Sequence, residues 1–327
     1  KRQAAELLAT DATSGLPMSP WIRDGSVVIG PDKKTIVVRK LTNGSSQRTD
    51  GRIWRTSDWT MVGIRGCREN ITSSSYVFSS DGARIFVEGY LRGIGKDPVK
   101  VFDASTGQII PPGLEERQSI RQIGLSPDGS KLMTLNTIIG LQLWQVEGMR
   151  PIFKKRIETE RGMISSAVFT ADGRRLVIAS ENGTCCVYDA ESGQRLGEIM
   201  NHNDKVRMAR LSPDQSQIVT ASDDLTARLW DAKTHASLVQ PMVHRSAVEA
   251  AEFAPDGRWI LSSTTIGYGL KGSSFLWETS SGRLVTELPL GATCRFGSIP
   301  GWLGVIRGSE CRVTELPALT DSSPHEL

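Results

Sequence analysis

A short sequence pattern recurs along the chain and constrains its fold more than any other feature. The pattern is an apolar strand, a Pro-Asp-Gly-like turn, a second apolar strand and then an aromatic residue paired with a polar or acidic one. Successive turn acids lie 49, 47, 44, 42 and 42 residues apart. A period of this size with strand-turn-strand content is typical of a propeller, in which each repeat forms one blade. The turn acids are Asp32, Asp81, Asp128, Asp172, Asp214 and Asp256.

The length fits seven repeats, because 327 residues divided by a step of about 45 leaves room for seven. Asn-Gly and Asp-Gly turns between apolar runs indicate tight antiparallel hairpins. We therefore predict an all-β fold with seven four-stranded antiparallel blades. In the fourth repeat the predicted strands are Ile164–Phe169, Arg175–Ser180, Thr184–Asp189 and Gln194–Met200. In the fifth they are Val206–Leu211, Gln217–Ser222, Thr226–Asp231 and Ser237–Met242.

The ends of the third strands carry a resemblance to the WD-repeat family of β-propellers. The fifth repeat reads Ala227-Arg228-Leu229-Trp230-Asp231, as a WD repeat does. Five other repeats keep an aromatic ring at this place, where a large side chain wedges between neighbouring blades. The resemblance covers roughly residues 25 to 316. The drifted pairs are Trp54-Arg55, Phe102-Asp103, Trp144-Gln145, Tyr188-Asp189 and Trp277-Glu278.

The resemblance also implies a polar network that links a His, a Ser or Thr, an Asp and the Trp inside a blade. Only the fifth repeat supplies the full set in register, as His202, Ser222, Asp224 and Trp230. We expect these residues to have a structural role, since such a network fastens loop to strand when every member is hydrogen-bonded. His244 and Trp277 supply part of the set in the sixth repeat.

The seventh repeat is the weakest and shows only three strands. WD-repeat rings usually close by using the N-terminal segment in the last blade, so the resemblance implies closure by residues 5–10 or 16–21. Residues 4–9 could instead end a linker helix from an upstream domain. We therefore expect an N-terminal segment over residues 1–20, a propeller over 21–320 and a polar tail over 321–327.

Composition and motifs favour no catalytic or cofactor-binding class. The net charge of +3, from 39 basic and 36 acidic residues, offers no basic stripe for nucleic acid. The sequence contains no nucleophile elbow, zinc-protease motif or phosphate-binding loop. We expect no enzyme activity, cofactor, metal or membrane span. Five cysteines without CxxC spacing or a dense disulfide framework favour a reducing, cytoplasmic location.

Loop length gives the first candidate site. From turn acid to third-strand aromatic, the third to fifth repeats count 16 residues, whereas the first, second and sixth count 22, 21 and 21. In a closed seven-blade ring, the three expanded loops would emerge on one arc of one face. Loops on a rigid scaffold often carry binding residues, although surface loops also tolerate insertion at little cost. The candidate residues are Tyr90, Arg92, Tyr268 and Lys271.

The loops before the first strands give a second candidate set on the same face. Their charged side chains could attract an acidic peptide or phosphate, and a solvated rim would explain them equally well. The candidates are Arg121, Arg161, Lys205, Arg207, Arg245 and Glu249.

The sequence predicts a non-catalytic protein-interaction or sensing module that binds a protein or peptide. The run Leu229-Trp230-Asp231-Ala232-Lys233-Thr234 resembles propellers appended to large bacterial signalling proteins, such as kinases and NACHT-type or other STAND ATPases. With no initiator Met, this implies a C-terminal domain with a fused or upstream partner domain. The alternatives are a free-standing assembly scaffold and a propeller enzyme or small-ligand binder that uses the central channel.

Overall fold

In a computed structural model, the chain is built almost entirely of β-strands. The described residues contain one short 3-10 helix, Glu147–Met149, and no α-helix. The structure describes residues 6–7, 22–23, 25–29, 31, 33–41, 49–55, 57, 61–62, 71–72, 75–88, 99–111, 113–114, 120–136, 139–159, 163–266, 270–288, 290–291, 293–296, 302–307 and 310–316.

Seven sheets of three or more strands follow one another along the described chain, and strands adjacent in sequence pair within each sheet. The first is Gly25–Ile29, Thr35–Leu41, Thr49–Arg55 and Met61–Val62, with Ile71–Thr72 also paired to Thr49–Arg55. The second is Ser75–Phe78, Arg84–Glu88 and Val99–Asp103. The third is Gln122–Leu125, Lys131–Asn136, Gly140–Gln145 and Arg150–Pro151.

The last four sheets have the same strand order. The fourth is Ile164–Phe169, Arg175–Ser180, Thr184–Asp189 and Arg195–Asn201. The fifth is Val206–Leu211, Gln217–Ser222, Thr226–Asp231 and Met242–Val243. The sixth is Val248–Phe253, Trp259–Ile266, Leu270–Glu278 and Leu284–Leu288. The seventh has three strands in the described part, Thr293–Phe296, Trp302–Arg307 and Glu310–Glu315.

The chain divides into two compact units. Unit 1 comprises residues 1–176 and 187–196, and unit 2 comprises residues 177–186 and 197–327. The first three sheets lie wholly in unit 1 and the last three wholly in unit 2, while the boundary falls within the fourth.

The all-β prediction and the antiparallel, largely four-stranded sheets are confirmed. The first three predicted strands of the fourth and of the fifth repeat match the structure residue for residue. The outer strand of the fifth sheet was predicted too long, because only Met242–Val243 pairs with Thr226–Asp231. Pro241, which lacks an amide hydrogen, directly precedes this short ladder, and Ser237 forms only an isolated bridge to Trp230.

A recurring hydroxyl–carboxylate pair builds the turn between the first two strands. Ser126 Oγ lies 2.5 Å from Asp128 Oδ1 and accepts the amide of Lys131 at 2.9 Å. Because the hydroxyl donates to the carboxylate, it stabilises the charged form, and the bonds from Ser126 and Ser130 lower the pKa of Asp128 to about 2. The same pair occurs at Ser79–Asp81, Thr170–Asp172 and Ser212–Asp214.

The apolar core lies between consecutive sheets. In unit 1, Phe86 and Val101 of the second sheet pack with Ile123 and Leu132 of the third. In unit 2, one cluster joins the fifth and sixth sheets and another joins the sixth and seventh, the latter around Trp259. One repeat cannot bury its own apolar face, so each sheet depends on its neighbour for burial.

The predicted closure of the ring stays a prediction. Glu6–Leu7 pairs with Ile22–Arg23 in a separate two-stranded ladder. The blade number and the expected domain limits stay predictions as well.

Candidate partner-binding face

A polar network holds the fifth sheet together at the end where its first strand begins. His202 Nδ1 lies 2.8 Å from Asp224 Oδ2, and His202 Nε2 lies 2.7 Å from Thr220 Oγ1. Trp230 Nε1 donates to the same Thr220 Oγ1 at 2.9 Å. The hydroxyl between histidine and tryptophan therefore belongs to Thr220, which corrects the assignment of that place to Ser222.

Ser222 has a different structural role in the same turn. Its Oγ donates to the carbonyl of Asp204 at 3.1 Å and accepts the amide of Asp224, also at 3.1 Å. Asp224 in turn accepts the Thr226 hydroxyl at 2.6 Å and the Asn203 amide at 3.1 Å. Ser222 thus ties the loop that precedes the first strand to the turn between the second and third strands.

Burial and hydrogen bonds shift the pKa values of both titratable groups of the network. Burial lowers the pKa of His202, although the Asp224 carboxylate beside it acts in the opposite sense. Burial alone would raise the pKa of Asp224, but hydrogen bonds from Thr226 and Asn203 and the neighbouring histidine lower it to about 2. A neutral imidazole beside an ionised, fully hydrogen-bonded carboxylate has a structural role, because the pair holds the loop before the first strand to the turn between the second and third strands.

Reduced forms of the network occur in two other sheets. In the sixth, Ser262 Oγ lies 2.7 Å from His244 Nε2 and accepts Trp277 Nε1 at 2.8 Å. In the third, Trp144 donates to Thr134 Oγ1 at 2.9 Å. Ile178 stands where the fourth sheet would need the hydroxyl, so Tyr188 cannot be joined there in the same way.

A β-bulge sets the direction of a charged residue at the start of the first strand in two consecutive sheets. Val206 pairs with Ser222 and Met208 with Ala221, so Arg207 is the extra residue in the fifth sheet. Val248 pairs with Thr264 and Ala250 with Ser263, which makes Glu249 the extra residue in the sixth. Bulges re-aim a side chain and are common beside functional sites. Both side chains are exposed.

Arg207 is held in place by a two-pronged ion pair. Its Nε and Nη2 donate to the two oxygens of Asp223 at 2.6 and 2.9 Å, while its side chain remains 48% exposed. The hydrogen bond to Asp223 raises the pKa of Arg207, and the charges of Glu249 and Glu181 add to that effect. Lys205 Nζ binds Glu181 Oε2 at 3.1 Å on the same side of the turn.

We call this set of side chains the charged rim. All of its members belong to unit 2 and lie in or beside the loops that precede a first strand or follow a second strand. They comprise three bases and three acids: Lys205, Arg207, Arg245, Glu181, Asp223 and Glu249.

Comparison with known proteins finds WD repeats in the middle of the chain. Residues 154–189 and 193–231 match the family model described as WD domain, G-beta repeat. Residues 154–231 therefore carry two WD repeats, which support a WD-repeat propeller family. These matched repeats are the fourth and fifth, which also keep the most regular turn-to-aromatic spacing. WD repeats support a protein-interaction module in general.

The fold is shared with a crystal structure of the computationally designed Ika8 protein. The TM-score is 0.70 with 15% sequence identity, over 95% of this chain and 91% of that chain. An identity this low shows the fold alone. A comparison with curated proteins finds no match.

Four of the predicted site residues lie in the same unit. Arg207, Glu249, Lys205 and Arg245 lie in unit 2 as described above, whereas the exposed Arg121 lies in unit 1 at the start of the third sheet. Lys271 lies at the start of the long hairpin strand Leu270–Glu278, opposite Thr265. Tyr90, Arg92, Arg161 and Tyr268 lie outside the described residues.

Three functional residues were missed from the sequence. Asp223 and Glu181 pair with Arg207 and Lys205, but neither was among the predicted site residues. Thr220 was missed because Thr220 and Ser222 face the same side of one strand, and both carry the hydroxyl that the family pattern requires. The occurrence of Thr134 and Ser262 at the equivalent place in other repeats is the signal that could have decided between them.

A cleft at the opposite end of the strands is a weaker candidate. It has a volume of about 350 Å³ and is lined by the turns of the fifth and sixth sheets, including Asp214, Asp256 and Arg258. Both oxygens of Asp214 already accept hydrogen bonds from Ser212 and Ser216. The Asp214 carboxylate is therefore already hydrogen-bonded within its own turn.

The described residues contain no group of three or more His, Cys, Asp or Glu side chains arranged to hold a metal ion. Nor does this part of the chain include a helix long and apolar enough to cross a membrane. Cys185 is fully buried, and burial raises the pKa of its thiol, so this cysteine has little thiolate to react.

Proposed function

We propose that this WD-repeat protein is a non-catalytic interaction or sensing module that binds a protein or peptide through the charged rim. The observation that most supports this proposal is the repeated β-bulge, which turns Arg207 and Glu249 outward at the same place in two consecutive sheets. We also propose, on the resemblance of its repeats, that the chain is the cytoplasmic C-terminal propeller of a larger bacterial signalling or defence protein.

The state of Arg207 supports a binding role. A bidentate pair with Asp223 fixes the guanidinium while half of the side chain stays exposed. A pre-ordered side chain loses little conformational freedom on binding, so more of its interaction energy appears as affinity. Arginine is also enriched among the residues that dominate interface energies.

The charged rim carries both positive and negative side chains, which supports binding of a specific partner. Charges of both signs that are held in place by neighbouring residues favour a partner with the complementary charge pattern. They disfavour a partner that would set like charges opposite them. A uniformly basic surface would instead favour nucleic acid.

The chemistry of the polar network supports a non-catalytic reading. His202 and Asp224 are the best-placed acid–base pair in the described residues, but both nitrogens of the imidazole and both carboxylate oxygens are hydrogen-bonded within the blade. Neither group has a free position from which to move a substrate proton.

Affinity capture from the native cell extract tests the proposal. The full chain is used as bait, together with the neutralising variants Arg207→Gln and Glu249→Gln. Lys233→Gln is the matched control, since Lys233 is exposed in the turn after the third strand. We expect both rim variants to bind the captured protein at least tenfold more weakly, which corresponds to about 1.4 kcal/mol. Unchanged capture by both rim variants would overturn the proposal.

A second set of variants tests the expanded loops, which we propose as an extension of the same surface. Shortening residues 89–98 and 266–274 removes Tyr90, Arg92, Tyr268 and Lys271 in two steps. Retention of every partner by both shortened chains would exclude the loops and leave the charged rim as the binding surface.

A further inference from the structure

The turn between the second and third strands of the fifth sheet carries an unusual residue at its tip. Leu225 has a φ of 68°, in the left-handed region, and is 41% exposed. The equivalent residue in the fourth sheet is Gly183, with a φ of 86°. A leucine therefore stands where the preceding repeat uses glycine.

The fold dictates the left-handed backbone at this place. The carbonyl of Leu225 accepts the amide of His244 at 2.8 Å, as the carbonyl of Gly183 accepts the amide of His202 at 2.8 Å. A Cβ atom on Gly183 would lie only 2.9 Å from the carbonyl oxygen of His202. Leucine is thus the strained choice, and strain of this kind concentrates at functional sites.

The turn that displays Leu225 is rigid. The residues on either side of it, Asp224 and Thr226, are joined to each other at 2.6 Å, and Asp224 is joined to His202 at 2.8 Å. The backbone that presents the Leu225 side chain is therefore held in place, which reduces the entropy lost when a partner covers it.

A second exposed apolar side chain lies next to this turn. Val243 is 67% exposed and pairs directly with Thr226, the residue after Leu225. Arg245 follows two residues later and is exposed. Lys205 and Arg207 are each paired with a carboxylate, whereas no ion pair joins Arg245 to a carboxylate of the described residues.

We propose that Leu225 and Val243 form an apolar anchor that takes an apolar side chain from a protein segment with an acidic residue beside it. Arg245 pairs with that acidic residue, because it is the rim cation left uncompensated. The inference rests on the proposed function and adds to it the sequence character of the bound segment.

A peptide-display selection on the full chain tests the inference. Twelve-residue random peptides are selected, and fluorescent copies of the enriched peptides are titrated against the wild type and five variants, one of which is the rim variant Arg207→Gln. Leu225→Asn and Leu225→Gly remove the apolar tip with residues that tolerate a positive φ. Arg245→Gln removes the charge. Leu238→Asn is the matched control, because Leu238 is 43% exposed in the connection after the third strand.

The expected peptides carry Leu, Ile, Met or Phe beside Asp or Glu. We expect Leu225→Asn and Arg245→Gln each to weaken their binding about tenfold, while Leu238→Asn binds them as the wild type does. The melting temperatures of both Leu225 variants should equal or exceed that of the wild type, which excludes loss of folding as the cause.

The opposite results would overturn the inference. These are an absence of enriched peptides, enriched peptides without the acidic–apolar pattern, or equal binding by Leu225→Asn. Peptides that lose affinity with Arg207→Gln but not with Leu225→Asn would leave the proposed function standing and remove the anchor. Peptides insensitive to every rim variant would count against both.

Discussion

His202 and Trp230 are joined through one hydroxyl, that of Thr220, which lies 2.7 Å from His202 Nε2 and 2.9 Å from Trp230 Nε1. Thr220 is fully buried, so neither nitrogen can turn to water if the hydroxyl is lost. We therefore expect Thr220→Val, which keeps the shape, to lower the free energy of unfolding by about 3 kcal/mol, since two buried polar groups lose their partner.

Thr134→Val is the matched control for that experiment, because within the described residues the Thr134 hydroxyl bonds Trp144 and no histidine. Thr134→Val should lower the free energy of unfolding by about 1 kcal/mol. Urea unfolding followed by circular dichroism measures both. Equal losses for the two variants would show that the histidine bond adds nothing.

His244 should make stability depend on pH. Burial lowers the pKa of His244 to about 4, below its ordinary value of 6.5. The unfolded chain therefore binds a proton at this site before the folded chain does as the pH falls. The stability from neutral His244 is complete above pH 6.5 and is lost between pH 6.5 and 4, amounting to about 2 kcal/mol by pH 5.

His244→Phe keeps a ring beside Phe275 and Trp277 and removes the titrating group. We expect the unfolding free energy of this variant to fall less steeply between pH 6.5 and 5 than that of the wild type. Parallel pH profiles for the two proteins would contradict the assignment of the effect to His244.

The turn hydroxyls should control both a pKa and local stability. Ser126→Ala removes the bond that most lowers the pKa of Asp128 and the acceptor of the Lys131 amide. We expect the pKa of Asp128 to rise from about 2 toward 3.8, as measured by NMR titration of the carboxyl carbon. The free energy of unfolding should fall by about 1 kcal/mol.

Ser130→Ala provides the comparison, because Ser130 Oγ bonds Asp128 without holding the second strand. Its effect on the pKa of Asp128 should be smaller. A larger rise for Ser130→Ala than for Ser126→Ala would contradict the roles given to the two hydroxyls.

The fold could be predicted from sequence where tight turns bound each strand. Asp172-Gly173 and Asn182-Gly183 fix both ends of the strand between them, so Arg175–Ser180 was predicted at its observed limits. The outer strands lack such turns, and their alternation is weak because one edge faces solvent. This is why Ser237–Met242 was predicted where the ladder is only Met242–Val243.

The candidate site could be predicted by position but not by geometry. Arg207 and Glu249 were identified from their place before the first strand core. The bulge that turns them outward leaves no mark in composition, since it depends on which residues pair across the strands. The positive φ of Leu225 is a backbone feature as well, and its signal in the sequence is Gly183 at the same place in the preceding repeat.

The central claim is that the partner covers the charged rim. Hydrogen exchange of the full chain, with and without a partner obtained by affinity capture, tests this most directly. The account predicts that binding slows amide exchange in residues 203–208, 223–226 and 244–250. Protection confined to the opposite turns, residues 212–216 and 256–258, with the rim unchanged, would contradict it.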